Sequence, residues 1–183
     1  MVEDNKNKGM RKGLTSYGDA DFSLFLRKAF IKAMGYSDDA LNRPIIGIAN
    51  TFSGYNACHR NAPELVEAIK RGVMLAGGLP VEFPTISIHE SFAYPTSMFT
   101  RNLMSMDTEE MVKGQPMDAV VLIGGCDKTV PAQLMAAASA KACAESSLAL
   151  RSARSAACVC ANDADSRSAA STQTGNWVAL RAV

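Results

Sequence analysis

The chain has 183 residues, of which 48% are hydrophobic and 20% charged, and its formal net charge is +1. This length and composition are typical of one globular domain with a buried core, and the near-neutral charge excludes a strongly basic surface for nucleic acid. No apolar run reaches the roughly 20 residues that a membrane-spanning helix needs, and the polar first residues do not resemble a signal peptide. We therefore expect a cytoplasmic protein that binds neither nucleic acid nor a membrane.

The chain divides into three parts by composition. We predict a flexible arm over residues 1–18, an α/β domain over 19–140, and an irregular or disordered tail over 141–183. The tail contains 12 Ala, 7 Ser, 4 Arg and 3 Cys, and it lacks Phe, Tyr, Pro and Met. It shows neither helical nor strand periodicity, and it has few large apolar residues that could form a core.

Helical and strand patterns alternate through the central part. In chain order, the predicted elements are a helix over 19–35, a strand over 44–49, a helix over 61–76, a strand over 81–88, a helix over 97–113, a strand over 119–123 and a helix from 129. The first helix has Asp19 or Asp21 as its N-cap and its phenylalanines along one apolar face. Pro84 indicates a sheet edge or a bulge in the second strand. This alternation predicts an α/β fold with a mostly parallel sheet and flanking helices.

Each predicted strand is followed by a loop with chemically active side chains. These candidates are Cys58, His59, His89, Glu90, Cys126, Asp127 and Lys128. In a parallel sheet the carboxyl ends of the strands lie at one edge, where ligands usually bind. We therefore expect the three loops to meet at this edge.

The third loop, Gly124-Gly-Cys-Asp-Lys-Thr129, admits two interpretations. Its glycines allow a sharp turn, and a helix N-terminus next to Cys126 would lower the thiol pKa and favour metal binding or nucleophilic chemistry. Asp127 would then suit Mg²⁺. The alternative is a tight strand-to-helix turn with an inert cysteine and a capping aspartate. A phosphate-binding loop is disfavoured, because Asp127 stands where that motif has its second glycine.

The other candidates are equally ambiguous when each is taken alone. Cys58 is either a ligand or a free thiol, and Glu90 is either a ligand or a solvated or capping acid. His59 and His89 either donate hydrogen bonds to metal ligands or are ordinary loop histidines. Neither loop contains a C-x-x-C pair, which argues against a zinc ribbon as the explanation of the cysteines.

Long stretches of the sequence resemble the N-terminal part of the dihydroxy-acid and sugar-acid dehydratase family. They are PIIGIANTFSGYNACH, GVMLAGGLPVEFPTISIHES and DAVVLIGGCDKTVPAQLMAAASA. The resemblance runs from about residue 16 to 140, about two thirds of the chain. The stretch SYGDADFSLFLRKAFIKAMGYSDDAL and Glu90 look most like the arabinonate and xylonate branch, since the branched-chain amino-acid enzymes usually carry Asp at that position.

The resemblance implies a hydro-lyase that removes water from a 2,3-dihydroxy or sugar acid to form a 2-keto-3-deoxy acid. Family members hold an iron–sulfur cluster through three cysteines, of which Cys58 and Cys126 match the first two, and we expect a two-iron rather than a four-iron cluster. Glu90, Asp127 and Lys128, the last as a carbamate, match the Mg²⁺ ligands. Family members are usually homo-oligomers.

The sequence departs from the family pattern at two places. Ala57 replaces the proline that usually precedes the first cluster cysteine. After Ala140 the resemblance stops, so that the third cluster cysteine and the domain with the catalytic serine base have no counterpart. We interpret the tail as the product of a shifted reading frame and expect little or no activity from this chain alone.

Two other functions remain open. One is a non-catalytic module that binds an iron–sulfur cluster or another metal. The other is a redox or group-transfer enzyme that depends on Cys126 and would need a thiol with a lowered pKa.

Overall fold

The structure, a computed structural model, describes residues 8–14, 18–147, 157–160 and 177–182, with only the backbone described beyond residue 140. The helices are α1 (Ala20–Lys32), α2 (Asp38–Leu41), α3 (Ala62–Leu75), α4 (Met98–Gly114) and α5 (Thr129–Ser147). The strands are β1 (Ile45–Asn50), β2 (Leu79–Pro84), β3 (Ala119–Gly124), β4 (Ala157–Cys160) and β5 (Trp177–Ala182). None of the described helices has the length and apolar character to cross a membrane.

The five strands form one sheet in the order β2-β1-β3-β5-β4. β1 pairs in parallel with both β2 and β3, which confirms the predicted parallel sheet of an α/β fold. β5 is antiparallel to β3, and β4 is antiparallel to β5. The tail, expected to be irregular or disordered, thus contributes two short strands, and its other residues after Ser147 lie outside the described part. Helix α5 also continues without a break past residue 140, the predicted end of the domain.

The central strands bury side chains on both faces of the sheet, and helices cover both faces. Ile48 of β1 packs with Ala62 and Val66 of α3. The next residue, Ala49, faces the opposite side, as the two-residue period of a strand requires, and packs with Val112 of α4. The sheet is therefore flanked by helices on its two sides, and its carboxyl edge is left for the loops.

Gly47 in β1 allows a close approach of neighbouring side chains. A Cβ atom at this position would lie 2.2 Å from Met117 Sδ and 3.1 Å from Phe83 Cε1. The core beside β1 therefore has no room for a larger residue here.

Helix α1 begins as the sequence predicts but buries a different face. The Asp19 side chain caps the helix by accepting a hydrogen bond from Asp21 N–H. The buried residues of the helix are Ser23 and Leu24. Phe22, Phe25 and Phe30 are 49%, 64% and 73% exposed, so the apolar face that they form is not buried in the core. Leu24 enters the core instead, where it packs in a cluster with Met10 from the N-terminal segment.

Residues 8–14 pack against the domain, which corrects the prediction of a flexible arm for this segment. Gly9 N–H donates to both carboxylate oxygens of Asp118 at 2.9 Å. Met10 is 3% exposed and packs with Leu24 and Leu41. The hydrogen bonds and the burial both oppose free movement. Residues 1–7 and 15–17 of the predicted arm lie outside the described residues.

Strand β2 lies at a sheet edge, as Pro84 indicates, but it ends at that proline rather than at residue 88. The residues that follow form a loop against α4, where Asp107 Oδ2 accepts a hydrogen bond from Ile86 N–H at 3.1 Å. This contact directs the chain towards His89 and Glu90.

Candidate functional site

The three loops leave the same edge of the sheet, as the parallel topology predicts. β1, β2 and β3 end at Asn50, Pro84 and Gly124. The first loop contains a 3₁₀ turn at Ala57–His59, the second a 3₁₀ turn at Glu90–Phe92, and the third leads directly into α5.

The Cys58 turn is held by side chains beneath it. Asn56 Oδ1 accepts the N–H of Cys58 at 3.2 Å, while Asn56 Nδ2 donates to Ser87 Oγ at 3.2 Å. His59 Nδ1 lies 2.7 Å from the carbonyl oxygen of Thr51. Since a carbonyl only accepts, this contact places the ring proton on Nδ1. These bonds fix the turn from which the Cys58 thiol projects.

His59 is buried, and its surroundings favour the neutral imidazole. Its side chain is 2% exposed, and burial is the main cause that lowers its pKa. Its Nε2 atom is buried and has no hydrogen-bond partner. His59 therefore supports the first loop from below rather than standing free in it.

Cys58 and Cys126 lie close enough for the Cys58 side chain to act on the Cys126 thiol. Both cysteines are free and half-buried. Burial, followed by the Cys58 interaction, raises the pKa of Cys126. The expectation of a lowered thiol pKa is therefore wrong, because burial and the neighbouring Cys58 side chain both favour the protonated form.

Lys128 brings together the two acidic residues. Its Nζ donates to Glu90 Oε2 at 2.7 Å and to Asp127 Oδ2 at 3.2 Å. The hydrogen bond to Glu90, followed by the one to Asp127, raises the pKa of Lys128, and the same lysine lowers the pKa of Asp127. The ammonium group thus lies between the two carboxylates.

Five of the seven candidates interact in one series. The side chains of Cys58 and Asp127 both act on the Cys126 thiol, and Lys128 donates hydrogen bonds to both Asp127 and Glu90. Soft thiols suit iron and hard carboxylates suit Mg²⁺, so the types of donor fit an iron–sulfur cluster beside a magnesium ion. Within the described residues, however, no group of three or more His, Cys, Asp or Glu residues is arranged to hold a metal. The described side chains would thus supply only part of each ligand set, and Lys128 would have to change its charge or move to admit a cation.

An open cleft of about 430 Å³ lies beside these contacts. Its wall includes the residues next to Cys58 and Glu90, together with Arg60 and the aromatic rings of Tyr55 and Phe92. His89 also lines the cleft, where its Nδ1 accepts a hydrogen bond from Ser91 N–H at 3.2 Å and its ring lies 5.8 Å from that of Phe92. A small polar molecule in the cleft would reach the edge of the site.

Comparison with known proteins identifies the family. Residues 43–146, more than half of the chain, match the model of the dihydroxy-acid/6-phosphogluconate dehydratase N-terminal domain. The chain belongs to this dehydratase family.

Three of its relatives illustrate the family. The chain is 50% identical over 124 residues to L-arabonate dehydratase of Azospirillum brasilense, covering 67% of this chain and 21% of that protein. It is 47% identical over 95 residues to D-xylonate dehydratase of Caulobacter vibrioides, covering 52% and 16%. It is 41% identical over 116 residues to dihydroxy-acid dehydratase of Ruminiclostridium cellulolyticum, covering 61% and 21%. This dehydratase chain spans about a fifth of the length of these relatives.

The structure of the dehydratase chain also reveals two residues that sequence analysis did not single out. Asn56 organises the Cys58 turn, and its position two residues before the cysteine, in a polar loop, is a recognised turn signal. Arg101 is buried on α4 close to Cys126 and His59, whose pKa values it affects. The helical spacing of Arg101 with Met104 and Thr108 was a sign that this arginine lies on the buried face.

Proposed function

We propose that this chain supplies the N-terminal, metal-binding part of a dehydratase that acts on a sugar acid. Its membership of the dehydratase family and the names of two relatives, which act on arabonate and xylonate, support this substrate class. The observation that carries the proposal is the series of interactions from Cys58 through Cys126, Asp127 and Lys128 to Glu90.

In this proposal the site has two halves. Cys58 and Cys126 provide two ligands of an iron–sulfur cluster, of the two-iron type. Glu90 and Asp127 provide oxygen ligands for Mg²⁺, and Lys128 provides a third after carbamylation, which converts its cation into an anionic oxygen donor. When bound, these metals supply Lewis-acid stabilisation for the departing hydroxyl group and for the negative charge that develops on the substrate.

The protein groups around the metals have separate roles. Asn56 and His59 hold the Cys58 turn through the hydrogen bonds described above. The cleft beside the site would receive the sugar acid, with the Arg60 guanidinium in its wall to attract the carboxylate. Because carbamylation consumes a neutral amine, Lys128 must first lose the proton that its two carboxylate contacts now stabilise.

Anaerobic reconstitution of the chain with iron and sulfide tests the cluster half. We expect stoichiometric uptake of both, with visible absorption of an iron–sulfur chromophore. Cys58→Ser and Cys126→Ser should abolish most of the uptake, whereas Cys143→Ser, the matched control on α5, should retain it. The proposal fails if the parent chain takes up no iron and sulfide, or if all three variants behave alike.

The proposed division of labour is tested by incubating the loaded chain with L-arabinonate or D-xylonate. We expect no 2-keto-3-deoxy acid from this chain alone, because the resemblance assigns the catalytic base to a domain without a counterpart in these 183 residues. Turnover above the metal-only control would show that the chain is a complete enzyme.

A further inference from the structure

Arg101 is a buried cation without a counter-charge. It lies on the buried face of α4 and is 4% exposed. Its Nη2 donates to the carbonyl oxygen of Ile88 at 2.5 Å, but its Nε and Nη1 atoms are buried without a hydrogen-bond partner. Among the side chains that the structure describes, no carboxylate forms a salt bridge with it.

Such an arrangement is unfavourable unless an anion is present. A guanidinium group carries its charge at every physiological pH, so it cannot relieve the cost of burial by losing a proton. The hydrogen bond to one neutral carbonyl offsets only part of the cost of burying the charge, and the two unpartnered N–H groups add to that cost. The unpartnered donors and the burial of Arg101 therefore indicate an anion beside it.

The groups around Arg101 narrow the choice of anion. The Ile88 carbonyl oxygen that accepts from Arg101 also accepts from Asn56 Nδ2 at 3.4 Å, and Asn56 holds the Cys58 turn, so Arg101 lies on the thiol side of the site. Its charge also acts to lower the pKa values of Cys126 and His59. His59 is neutral, and the carboxylates of Glu90 and Asp127 are already engaged by Lys128. Among the described residues at this edge of the sheet, a further source of negative charge is the pair of cysteines, which becomes anionic when it binds a metal.

We propose that Arg101 is a positioning residue that compensates the negative charge of metal-bound Cys58 and Cys126 and directs its free N–H donors towards their sulfur atoms. This inference rests on the proposed cluster site. Positive charge and hydrogen bonds near cluster sulfurs raise the reduction potential of the cluster. Residues that hydrogen-bond to metal ligands typically change metal affinity by about 10–100-fold when they are mutated.

The test compares Arg101→Met, which removes the charge, with Arg101→Lys, which keeps it. Arg71→Met, an exposed position on α3, is the matched control. In reconstituted protein we expect Arg101→Met to release iron to a chelator roughly tenfold faster than the parent and to have a more negative midpoint potential. Arg101→Lys should give intermediate values, and Arg71→Met should match the parent.

Melting of the metal-free proteins separates this role from a purely structural one. Arg101→Met should melt at the same temperature as the parent or higher, because it replaces an unpaired buried cation by an apolar chain. A lower melting temperature with an unchanged iron release rate and potential would overturn the proposal, since Arg101 would then only support the Ile88 loop.

The two proposals fail in different ways. If the parent takes up no iron and sulfide, the cluster site fails and the role of Arg101 fails with it. If the parent loads but Arg101→Met has the same release rate and potential, only the role of Arg101 fails.

Discussion

Lys128 joins the loop after β3 to the loop after β2, because its Nζ lies 2.7 Å from Oε2 of Glu90, a residue 38 positions away in the chain. The contact holds two acidic residues around one ammonium group. It also raises the pKa of Lys128, so the metal-free site favours the protonated lysine. Binding of a divalent cation and carbamylation of Lys128 should therefore support each other. Carbamylation removes the positive charge that would repel the cation, and a bound cation would weaken the stabilisation of protonated Lys128 by the two carboxylates.

This coupling predicts a bicarbonate effect on metal binding. In CO₂-free buffer the parent chain should bind Mn²⁺ weakly, and added bicarbonate should strengthen binding because carbamylation adds an oxygen ligand and removes a positive charge. Lys128→Met should abolish the bicarbonate effect, whereas Lys32→Met on α1 should preserve it. Titration calorimetry with Mn²⁺ as the probe measures this, and a parent that ignores bicarbonate would contradict the carbamate role.

The raised pKa of Cys126 predicts a slow thiol. With burial and Cys58 both favouring the protonated form, the metal-free chain should alkylate at Cys126 more slowly than glutathione at pH 7. Iodoacetamide labelling followed by mass spectrometry of the peptide measures the rate. Rapid labelling would instead favour the alternative of a Cys126-dependent redox or transfer enzyme.

Asp118 should be important for stability, because one carboxylate joins three parts of the chain. Asp118 directly precedes β3. Its carboxylate accepts the N–H of Gly9 and, at 2.7 Å, the N–H of Ile45, the first residue of β1. Asp118→Ala leaves these donors without their acceptor and should lower the free energy of unfolding by about 1–3 kcal/mol.

Urea denaturation of the metal-free protein measures this effect. The control is Asp39→Ala, since the Asp39 side chain is 78% exposed and its contact is a surface ion pair with Arg43. A loss for Asp118→Ala no larger than that for Asp39→Ala would show that residues 8–14 are not anchored as described.

The contact between Lys70 and Glu82 predicts a small dependence of stability on pH. Lys70 Nζ lies 2.8 Å from Glu82 Oε2 and ties α3 to β2. This hydrogen bond lowers the pKa of Glu82 below its unfolded value of about 4.3. The stabilisation is therefore present above about pH 4.3 and is lost as the pH falls through the lower folded pKa.

Glu82→Gln should accordingly reduce stability at pH 7 by up to about 1 kcal/mol, since the pair is partly exposed, and the difference from the parent should shrink at pH 3. Glu110→Gln is the control, because Glu110 is 78% exposed and lies 4.0 Å from Lys113. A difference that persists unchanged at pH 3 would assign the effect to packing rather than to charge.

The shifted-frame interpretation of the tail stays a prediction that the coding DNA can decide. Translation of codons 135–185 in all three forward frames should reveal a neighbouring frame that continues with an apolar strand and a Gly-Ala-Cys-Thr-like segment. If no frame does so, the tail is genuine, and its cysteines at positions 158 and 160 become candidates to test as the missing cluster ligand.

Sequence periodicity located the central helices and strands but did not show which face of each helix is exposed. It located β1, β3 and the start of α5, because continuous apolar runs and a proline in a first helical turn are local properties. It did not indicate which face of α1 is buried, because Leu24 packs in a cluster with Met10, a residue from a segment whose composition suggested no packing.

The candidate site shows the same division. The sequence by itself determined which loops carry thiols, carboxylates and a lysine, and the parallel strand order implied by alternating elements indicated that these loops share one edge. Only the tertiary structure decided that Lys128 lies between Glu90 and Asp127. It also decided that burial and Cys58 raise the pKa of Cys126, and that Arg101 is buried. The physical reason is that burial, charge pairing and pKa depend on the distances between groups remote in the chain, which residue spacing alone does not specify.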